Sequence, residues 1–321
     1  MSLHPNFREL LDRLKHKKSP IGTLPVALAR QYFDFYTPLC DIDPPPLPHV
    51  EDIEVPARDG TSLKARLYCY EQPNWWSPLP VLLYFHSGGF VFGRIETAEA
   101  QCRSLALEAR CAVLSIDYRL APEFRFPTAI DDALDSLIWV QRNAHALGLD
   151  PHRIAVGGES AGANLAAVTA VNARDLHIRL AMQLLVYPGL SRRHDLDSHL
   201  SYGEGYSLTI GLIRRLQKLY LRNAQDTDDW RFAPLDAALQ PANGYGNLAP
   251  ALFLSAQYDP LIDEQFLYAN KLLDAGNSVH MCCYPGMIHG FFSMSRFVEA
   301  AAQARAEAGQ SLRRAFRAID G

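Results

Sequence analysis

The chain has 321 residues, of which 48% are hydrophobic and 21% charged, the balance of a globular protein with one large domain or two average ones. Its net charge is −4 with both signs mixed along the chain, and no apolar run reaches membrane-span length, so neither nucleic acid nor a membrane is an expected partner. The stretch 1–18 lacks the apolar core of a secretory signal, and the six cysteines form no C-x-x-C pair or zinc-type Cys/His spacing. Reduced thiols and a cytoplasmic location are therefore expected.

The first predicted elements are helical. Apolar residues recur at helical spacing between Phe7 and Leu14, and a second helix is predicted over 26–36. The proline-rich stretch 43–48 ends this segment, because consecutive prolines cannot continue a helix and favour an extended connector. We therefore expect an N-terminal helical element, residues 1–47, ahead of the main domain.

Beyond the prolines, strand and helix patterns alternate. The stretches 53–55 and 63–70 are separated by Asp59-Gly60 and predict a hairpin. Short apolar runs then predict strands, and longer amphipathic runs predict helices: strands at 81–85, 112–117, 153–156, 181–187, 251–256 and 279–284, and helices at 96–109, 128–146, 161–174, 261–275 and 297–318. This alternation predicts an α/β fold, with a mostly parallel sheet covered by helices on both faces.

The alternation is interrupted between Ser191 and Ala224 by a polar loop and an amphipathic helix. We interpret residues 189–225 as an insertion that covers the strand ends, between a first part of the core at 48–188 and a second part at 226–321. Ligands of such sheets bind outside the carboxyl ends of the strands. The loops that follow the strands are therefore where functional residues are expected.

The first of these loops is Gly158-Glu159-Ser160-Ala161-Gly162, between a predicted strand and a predicted helix. The G-x-S-x-G pattern in this context is typical of a nucleophilic serine on a sharp turn, where small neighbours relieve crowding of the backbone. The alternative is a glycine-rich helix start with a capping serine. The strand–turn–helix context favours the nucleophile.

A second loop, His86-Ser87-Gly88-Gly89-Phe90, directly follows the strand predicted at 81–85. Adjacent glycines leave backbone N–H groups open to a ligand, and such donors can hold the oxyanion that forms when a serine attacks a carbonyl. A plain flexible turn is the alternative. The position of the loop, upstream of the serine turn, favours the oxyanion role.

Asp259 and His289 follow the last two predicted strands. A serine hydroxyl needs a base, and the base needs an orienting acid, so these residues are candidates for both roles. Asp263 is a rival acid, although at the start of a predicted helix it could simply complement the helix dipole. Taken alone, His289 would be interpreted as a histidine in a surface loop. Apart from His86, the other histidines lie in polar or uninformative sequence, and no role is assigned to them.

Together these loops resemble the hormone-sensitive-lipase-like family of bacterial carboxylesterases (bacterial family IV), over roughly 50–292. The segment 117–123, Asp-Tyr-Arg-Leu-Ala-Pro-Glu, and the segment 259–264, Asp-Pro-Leu-Ile-Asp-Glu, are also similar to that family. The resemblance implies the α/β-hydrolase fold with a mostly parallel eight-stranded sheet. It also implies a helical cap, formed by the N-terminal helices and the insertion.

The resemblance further implies the role of each loop residue. The implied nucleophile, acid and base are Ser160, Asp259 and His289, and the implied oxyanion donors are the N–H groups of Gly88, Gly89 and Ala161. His86 and Glu123 are expected to support the loops. The chain departs from the family at Ser87, Glu159 and Ala163, and none of these changes removes a catalytic group.

These residues predict a serine carboxylesterase that hydrolyses short- to medium-chain esters through an acyl-enzyme, without a metal or organic cofactor. The expected pocket residues are Phe33, Tyr36, Phe90, Tyr187, Leu208, Leu212 and Ile288. An amidase or a natural-product deacetylase with the same triad is an alternative, and a non-catalytic small-molecule receptor on the same fold is another. A homodimer is expected if the strand at 279–284 lies at the sheet edge, because an exposed edge can pair with a second copy.

Overall fold

An eight-stranded sheet forms the centre of the protein. The computed structural model describes residues 2–14 and 20–318. The strands are β1 (His49–Pro56), β2 (Ser62–Cys69), β3 (Leu79–Phe85), β4 (Ala112–Ile116), β5 (Leu149–Glu159), β6 (Gln183–Val186), β7 (Ala251–Tyr258) and β8 (Val279–Ile288). Their order is β1-β2-β4-β3-β5-β6-β7-β8, and β2 is antiparallel to both of its neighbours while all other pairs are parallel. The predicted mostly parallel sheet is confirmed.

Helices cover both faces of this sheet. They are α1 (Pro5–Leu14), α2 (Pro20–Thr23), α3 (Val26–Leu39), α4 (Glu99–Ala109), α5 (Thr128–Asn143), α6 (Ala161–Asp175), α7 (Asp197–Tyr202), α8 (Ile210–Tyr220), α9 (Ile262–Asp274) and α10 (Glu299–Ala318). On one face, Leu105 of α4 and Leu312 of α10 join a buried apolar cluster with the sheet. On the other face, α5, α6 and α9 contribute to a second cluster. Two apolar layers therefore enclose the sheet, which explains the continuous apolar runs in its central strands.

β5 is longer than its sequence pattern predicted. It begins at Leu149, where a register irregularity accompanies its pairing with β3, and it ends at Glu159 rather than at residue 156. The first part was not predicted as strand because it contains Pro151 and charged residues. The last part was not predicted because it contains two glycines, which have a low strand preference. The extended strand carries the chain directly to Ser160.

The N-terminal helices and the insertion meet each other at the carboxyl ends of the strands. The Arg215 guanidinium of α8 donates hydrogen bonds to the carbonyl oxygens of Gly22 and Leu24. The Arg30 side chain of α3 donates to the carbonyl oxygen of Val91 at 2.8 Å and pairs with Glu123. The Arg215 bonds join the two segments to each other, and the Arg30 bonds hold α3 against the loop that follows β3.

β8 lies at one edge of the sheet, which is the condition under which a homodimer was expected. A homodimer formed along this edge stays a prediction. None of the helices in the described part of the chain combines the length and the apolar character needed to cross a membrane.

Candidate active site

Ser160 sits on a strained turn between β5 and α6. Its backbone adopts φ 56° and ψ −115°, a region that side-chain-bearing residues seldom occupy. The glycines on either side make this turn possible: a Cβ at Gly162 would lie 2.0 Å from the carbonyl oxygen of Phe85, and one at Gly158 would lie 2.4 Å from Gly162. The Ser160 N–H donates to the carbonyl oxygen of Val186 at 2.9 Å, which fixes the turn against β6.

His289 links Ser160 to a buried carboxylate. Its Nε2 lies 3.0 Å from Oγ of Ser160, and its Nδ1 lies 2.8 Å from Oδ2 of Asp259. Asp259 is fully buried, and its Oδ1 accepts a bond from the N–H of Leu261 at 2.9 Å. A carboxylate at Nδ1 favours the tautomer protonated there, which leaves Nε2 free to accept the serine proton. The rival acid Asp263 instead accepts a bond from the N–H of Ser198 at 2.8 Å.

The loop after β3 presents backbone donors beside Ser160. Gly88 and Gly89 adopt φ 126° and 62°, and a Cβ at Gly88 would lie 2.1 Å from the carbonyl oxygen of Phe92. Within the described residues, the N–H groups of Gly88 and Gly89 donate no hydrogen bond to the protein. Ala161 is the first residue of α6, so its N–H has no partner inside that helix. Three N–H groups are therefore available to a ligand atom near Ser160.

His86 anchors the start of this loop. It is fully buried, its Nδ1 lies 2.8 Å from the carbonyl oxygen of Ser87, and its ring stacks on Tyr118 with centroids 4.3 Å apart. The Tyr118 hydroxyl donates to the carbonyl oxygen of His86 at 2.9 Å. Burial lowers the pKa of His86 to about 4, because the charged imidazolium would lose its hydration. His86 therefore supports the loop after β3 with a neutral imidazole ring, which is the role that the resemblance implied.

This buried histidine predicts a pH dependence of stability. His86 binds its proton near pH 6.5 in the unfolded chain and only near pH 4 in the folded one, so the unfolded state takes up more protons between these values. Stability should therefore fall as the pH drops, and His86 should contribute a loss of about 2 kcal/mol between pH 7 and pH 5.

Urea unfolding of the wild type and of His86→Gln at both pH values measures this contribution. The wild type should lose about 2 kcal/mol more than the variant, while all other titrating groups act equally in the two proteins. Equal losses in the two proteins would contradict the prediction.

A buried acid lies beneath the serine turn. Glu159 accepts a hydrogen bond from the Tyr187 hydroxyl at 2.8 Å, and burial raises the pKa of Glu159. The Tyr187 ring lies 4.6 Å from the ring of His289, measured between centroids. Glu159 therefore reaches the wall of the cavity that Ser160 and His289 also line, whereas Tyr187 packs against the imidazole and lines no cavity.

Two cavities meet at Ser160, and Gly89, Leu208 and Leu216 line both of them. The first cavity, of about 90 Å³, extends past Phe90 toward Glu264. The second, of about 200 Å³, lies between α3, α8 and the His289 loop. Of the residues predicted for the pocket, four line these cavities: Phe33, Phe90, Leu208 and Leu212.

Three predicted pocket residues do not line either cavity. Tyr36 is 47% exposed and packs against Tyr32, because the cavity-facing side of α3 carries Phe33 and Thr37 instead. Tyr187 and Ile288 are both fully buried in one apolar cluster, and the Tyr187 hydroxyl donates to Glu159. A position in the expected cap or at a strand end was therefore not sufficient to predict which side chains face the pocket.

Several lining residues were missed from the sequence. Leu216 and Ile213 belong to the apolar stripe of α8, whose period was visible and could have assigned them to the pocket. Asn164, His199 and Glu264 also line the first cavity. Glu264 ends the family-like segment 259–264, but nothing in that segment indicated that its side chain faces the pocket. Glu264 is fully buried, and burial raises its pKa strongly.

The fold and the Ser160 site together define an α/β-type hydrolase. Residues 82–293 match the alpha/beta hydrolase fold family, and the chain belongs to that family. An ethyl acetate hydrolase of Pseudomonas putida is 35% identical over 94% of this chain and 95% of its own length. The carboxylesterase NlhH of Mycobacterium tuberculosis is 37% identical over 81% of each chain.

Solved structures agree with this assignment. An ester hydrolase from the metagenome of Lake Arreo, solved with a derivative of bipyridine phosphonate, is 36% identical with a TM-score of 0.91, over 98% of this chain and 99% of that one. A hyperthermophilic esterase of Pyrobaculum calidifontis is 35% identical with a TM-score of 0.88, over 98% of this chain and 99% of that one. The chain is a carboxylic ester hydrolase, and the predicted resemblance to the hormone-sensitive-lipase-like carboxylesterases is confirmed.

Proposed function

We propose that the protein hydrolyses short- to medium-chain carboxylic esters through an acyl-enzyme formed on Ser160. The observation that carries this proposal is the continuous line of hydrogen bonds from Asp259 through His289 to Ser160. It ends at the point where the two cavities meet. The nucleophile therefore lies between space for the acyl group and space for the alcohol.

In the first step, Oγ of Ser160 attacks the ester carbonyl carbon while Nε2 of His289 accepts the hydroxyl proton. The negative charge moves to the carbonyl oxygen, where the N–H groups of Gly88, Gly89 and Ala161 stabilise it. Asp259 remains ionised and stabilises the imidazolium that forms. The C–O bond to the alcohol then breaks, and His289 returns its proton to the leaving oxygen.

In the second step, water replaces the alcohol. His289 removes a proton from the water molecule, and the resulting hydroxide attacks the acyl carbon bound to Ser160. The same three N–H groups hold the second oxyanion. Collapse of that intermediate releases the carboxylic acid and restores the Ser160 hydroxyl with the proton from His289.

The cavities support a small substrate. Their volumes of about 90 and 200 Å³ together fall just below the range of roughly 300–1,000 Å³ found for pockets of drug-sized ligands. Leu208, Leu212 and Leu216 close the space from the insertion side. We propose that the N-terminal helices and the insertion act together as the cap that limits chain length.

An acyl-chain series tests this proposal. With p-nitrophenyl esters from acetyl to palmitoyl, kcat/KM should be highest for short or medium chains and should fall by at least about tenfold for palmitoyl, which outgrows the cavities. The matched p-nitroanilides distinguish an esterase from an amidase. A maximum at palmitoyl would contradict the assigned substrate size, and faster cleavage of the anilides would favour the amidase alternative.

Gly88→Ala should lower kcat by about 10²–10³-fold, the effect of losing an oxyanion donor. The added Cβ would lie 2.1 Å from the carbonyl oxygen of Phe92, so the loop must shift and carry its N–H away. Gly60→Ala is the matched control, because Gly60 also has a positive φ, of 84°, but open space around it. Equal activity of the two variants would show that Gly88 does not position a donor.

A further inference from the structure

Three side chains with metal-binding groups come together outside the cavities at Ser160. His280 and Cys282 alternate along β8, so both side chains point to the same face of the sheet. Glu307 of α10 packs over that face. The Cys282 Sγ lies 3.2 Å from Nε2 of His280, and one ligand atom from each of the three residues lies within 4.8 Å of the others.

The donor set and its spacing suit one metal ion. Zinc accepts thiolate, imidazole and carboxylate ligands in tetrahedral geometry, with bonds of about 2.0–2.3 Å, which place neighbouring ligand atoms roughly 3.5 Å apart. The Cys282–His280 separation of 3.2 Å is already close to that value. Small rotations of the Glu307 side chain would bring its oxygen into range.

The three side chains are accessible to solvent, and one of them, Glu307, is held in place by neighbouring side chains. His280 is exposed, and Cys282 and Glu307 are half-buried, so an ion can enter from solvent. Oε1 of Glu307 accepts a bond from the Ser311 hydroxyl at 3.1 Å and lies 3.4 Å from the Arg314 guanidinium. Such bonds to a ligand carboxylate hold its orientation, and the other oxygen is left for the metal.

We propose that His280, Cys282 and Glu307 bind one Zn²⁺ ion, with water as the fourth ligand. The ion ties the edge strand β8 to the C-terminal helix α10. His280, Cys282 and Glu307 line neither of the cavities that meet at Ser160. The site therefore stabilises the fold and takes no part in ester hydrolysis.

Calorimetric titration of metal-free protein without a histidine tag, using Zn²⁺, tests the proposal. One equivalent should bind, and the thermal unfolding midpoint should rise with the Zn²⁺ concentration. His280→Gln, Cys282→Ser and Glu307→Gln should each weaken binding by at least about tenfold, since even loss of a ligand's hydrogen-bond partner costs about 10–100-fold. Co²⁺ in place of Zn²⁺ should give a thiolate-to-cobalt absorption band in the near ultraviolet.

Cys283→Ser is the matched control. Cys283 is the next residue on β8, is exposed, and points to the opposite face, so this variant should bind Zn²⁺ and Co²⁺ like the wild type. Melting curves without metal and turnover of p-nitrophenyl acetate confirm that each variant is folded.

Two results would overturn the proposal. If the wild type binds no equivalent of Zn²⁺, the contact between Cys282 and His280 is a thiol–imidazole hydrogen bond and not part of a metal site. Binding unchanged in the three ligand variants, together with zinc inhibition of turnover, would place the ion at His289 instead.

Discussion

Ser160→Ala is expected to reduce kcat by on the order of 10⁶-fold, as loss of the nucleophile does in serine hydrolases with a triad. The variant keeps the oxyanion donors and both cavities, so substrate should still bind while acyl transfer stops. The Ser160 hydroxyl makes its one described side-chain hydrogen bond to His289, and the turn is held by the backbone bond to Val186. Removal of the hydroxyl should therefore leave the fold unchanged.

Steady-state turnover of p-nitrophenyl acetate measures this loss, with circular dichroism as the check on folding. Ser104→Ala is the matched control, because the Ser104 hydroxyl donates to the carbonyl oxygen of Ala100 within α4, at 2.7 Å. That control should retain wild-type turnover. Comparable activity in Ser160→Ala would remove Ser160 from the mechanism.

His289→Gln is expected to produce a loss of similar size, on the order of 10⁶-fold in kcat. A glutamine amide cannot accept the Ser160 proton at neutral pH, so the hydroxyl stays un-ionised even though its neighbours remain in place. Because the two residues act as a unit, the double variant Ser160→Ala/His289→Gln should be no slower than either single variant.

Single and double variants assayed on the same ester give this comparison directly. His145→Gln, an exposed histidine outside the site, serves as the control and should keep full turnover. Losses that multiply in the double variant would mean that Ser160 and His289 act in separate steps. Substantial turnover in His289→Gln would point to another base.

The functional loops could be predicted from sequence because each of their signals is local. Ser160, the Gly88-Gly89 pair, Asp259 and His289 each follow an apolar strand pattern. In a parallel sheet the carboxyl ends of the strands share one edge. Recognition of the strands was therefore enough to predict that these residues meet, and the structure places Ser160, His289 and Asp259 within hydrogen-bond distance.

The walls of the pocket were harder to predict, because they depend on contacts between distant segments. Tyr36 and Phe33 lie on the same helix, and only the packing of α3 against α8 decides which of them faces the cavity. α7 has no clear periodic pattern, and its start is fixed by Asp263 of α9, which accepts a bond from the N–H of Ser198. The His280–Cys282–Glu307 cluster likewise joins a strand to a separate helix, so spacing along the chain did not reveal it.

Reaction with a fluorophosphonate, followed by peptide mapping in a mass spectrometer, tests the central role of Ser160 most directly. The reagent phosphonylates a serine only where a base and an oxyanion site activate the hydroxyl. We expect a single adduct on Ser160, formed together with loss of esterase turnover, and very slow labelling in His289→Gln. An inactivated enzyme with its adduct on another residue, or full turnover with Ser160 modified, would contradict this expectation.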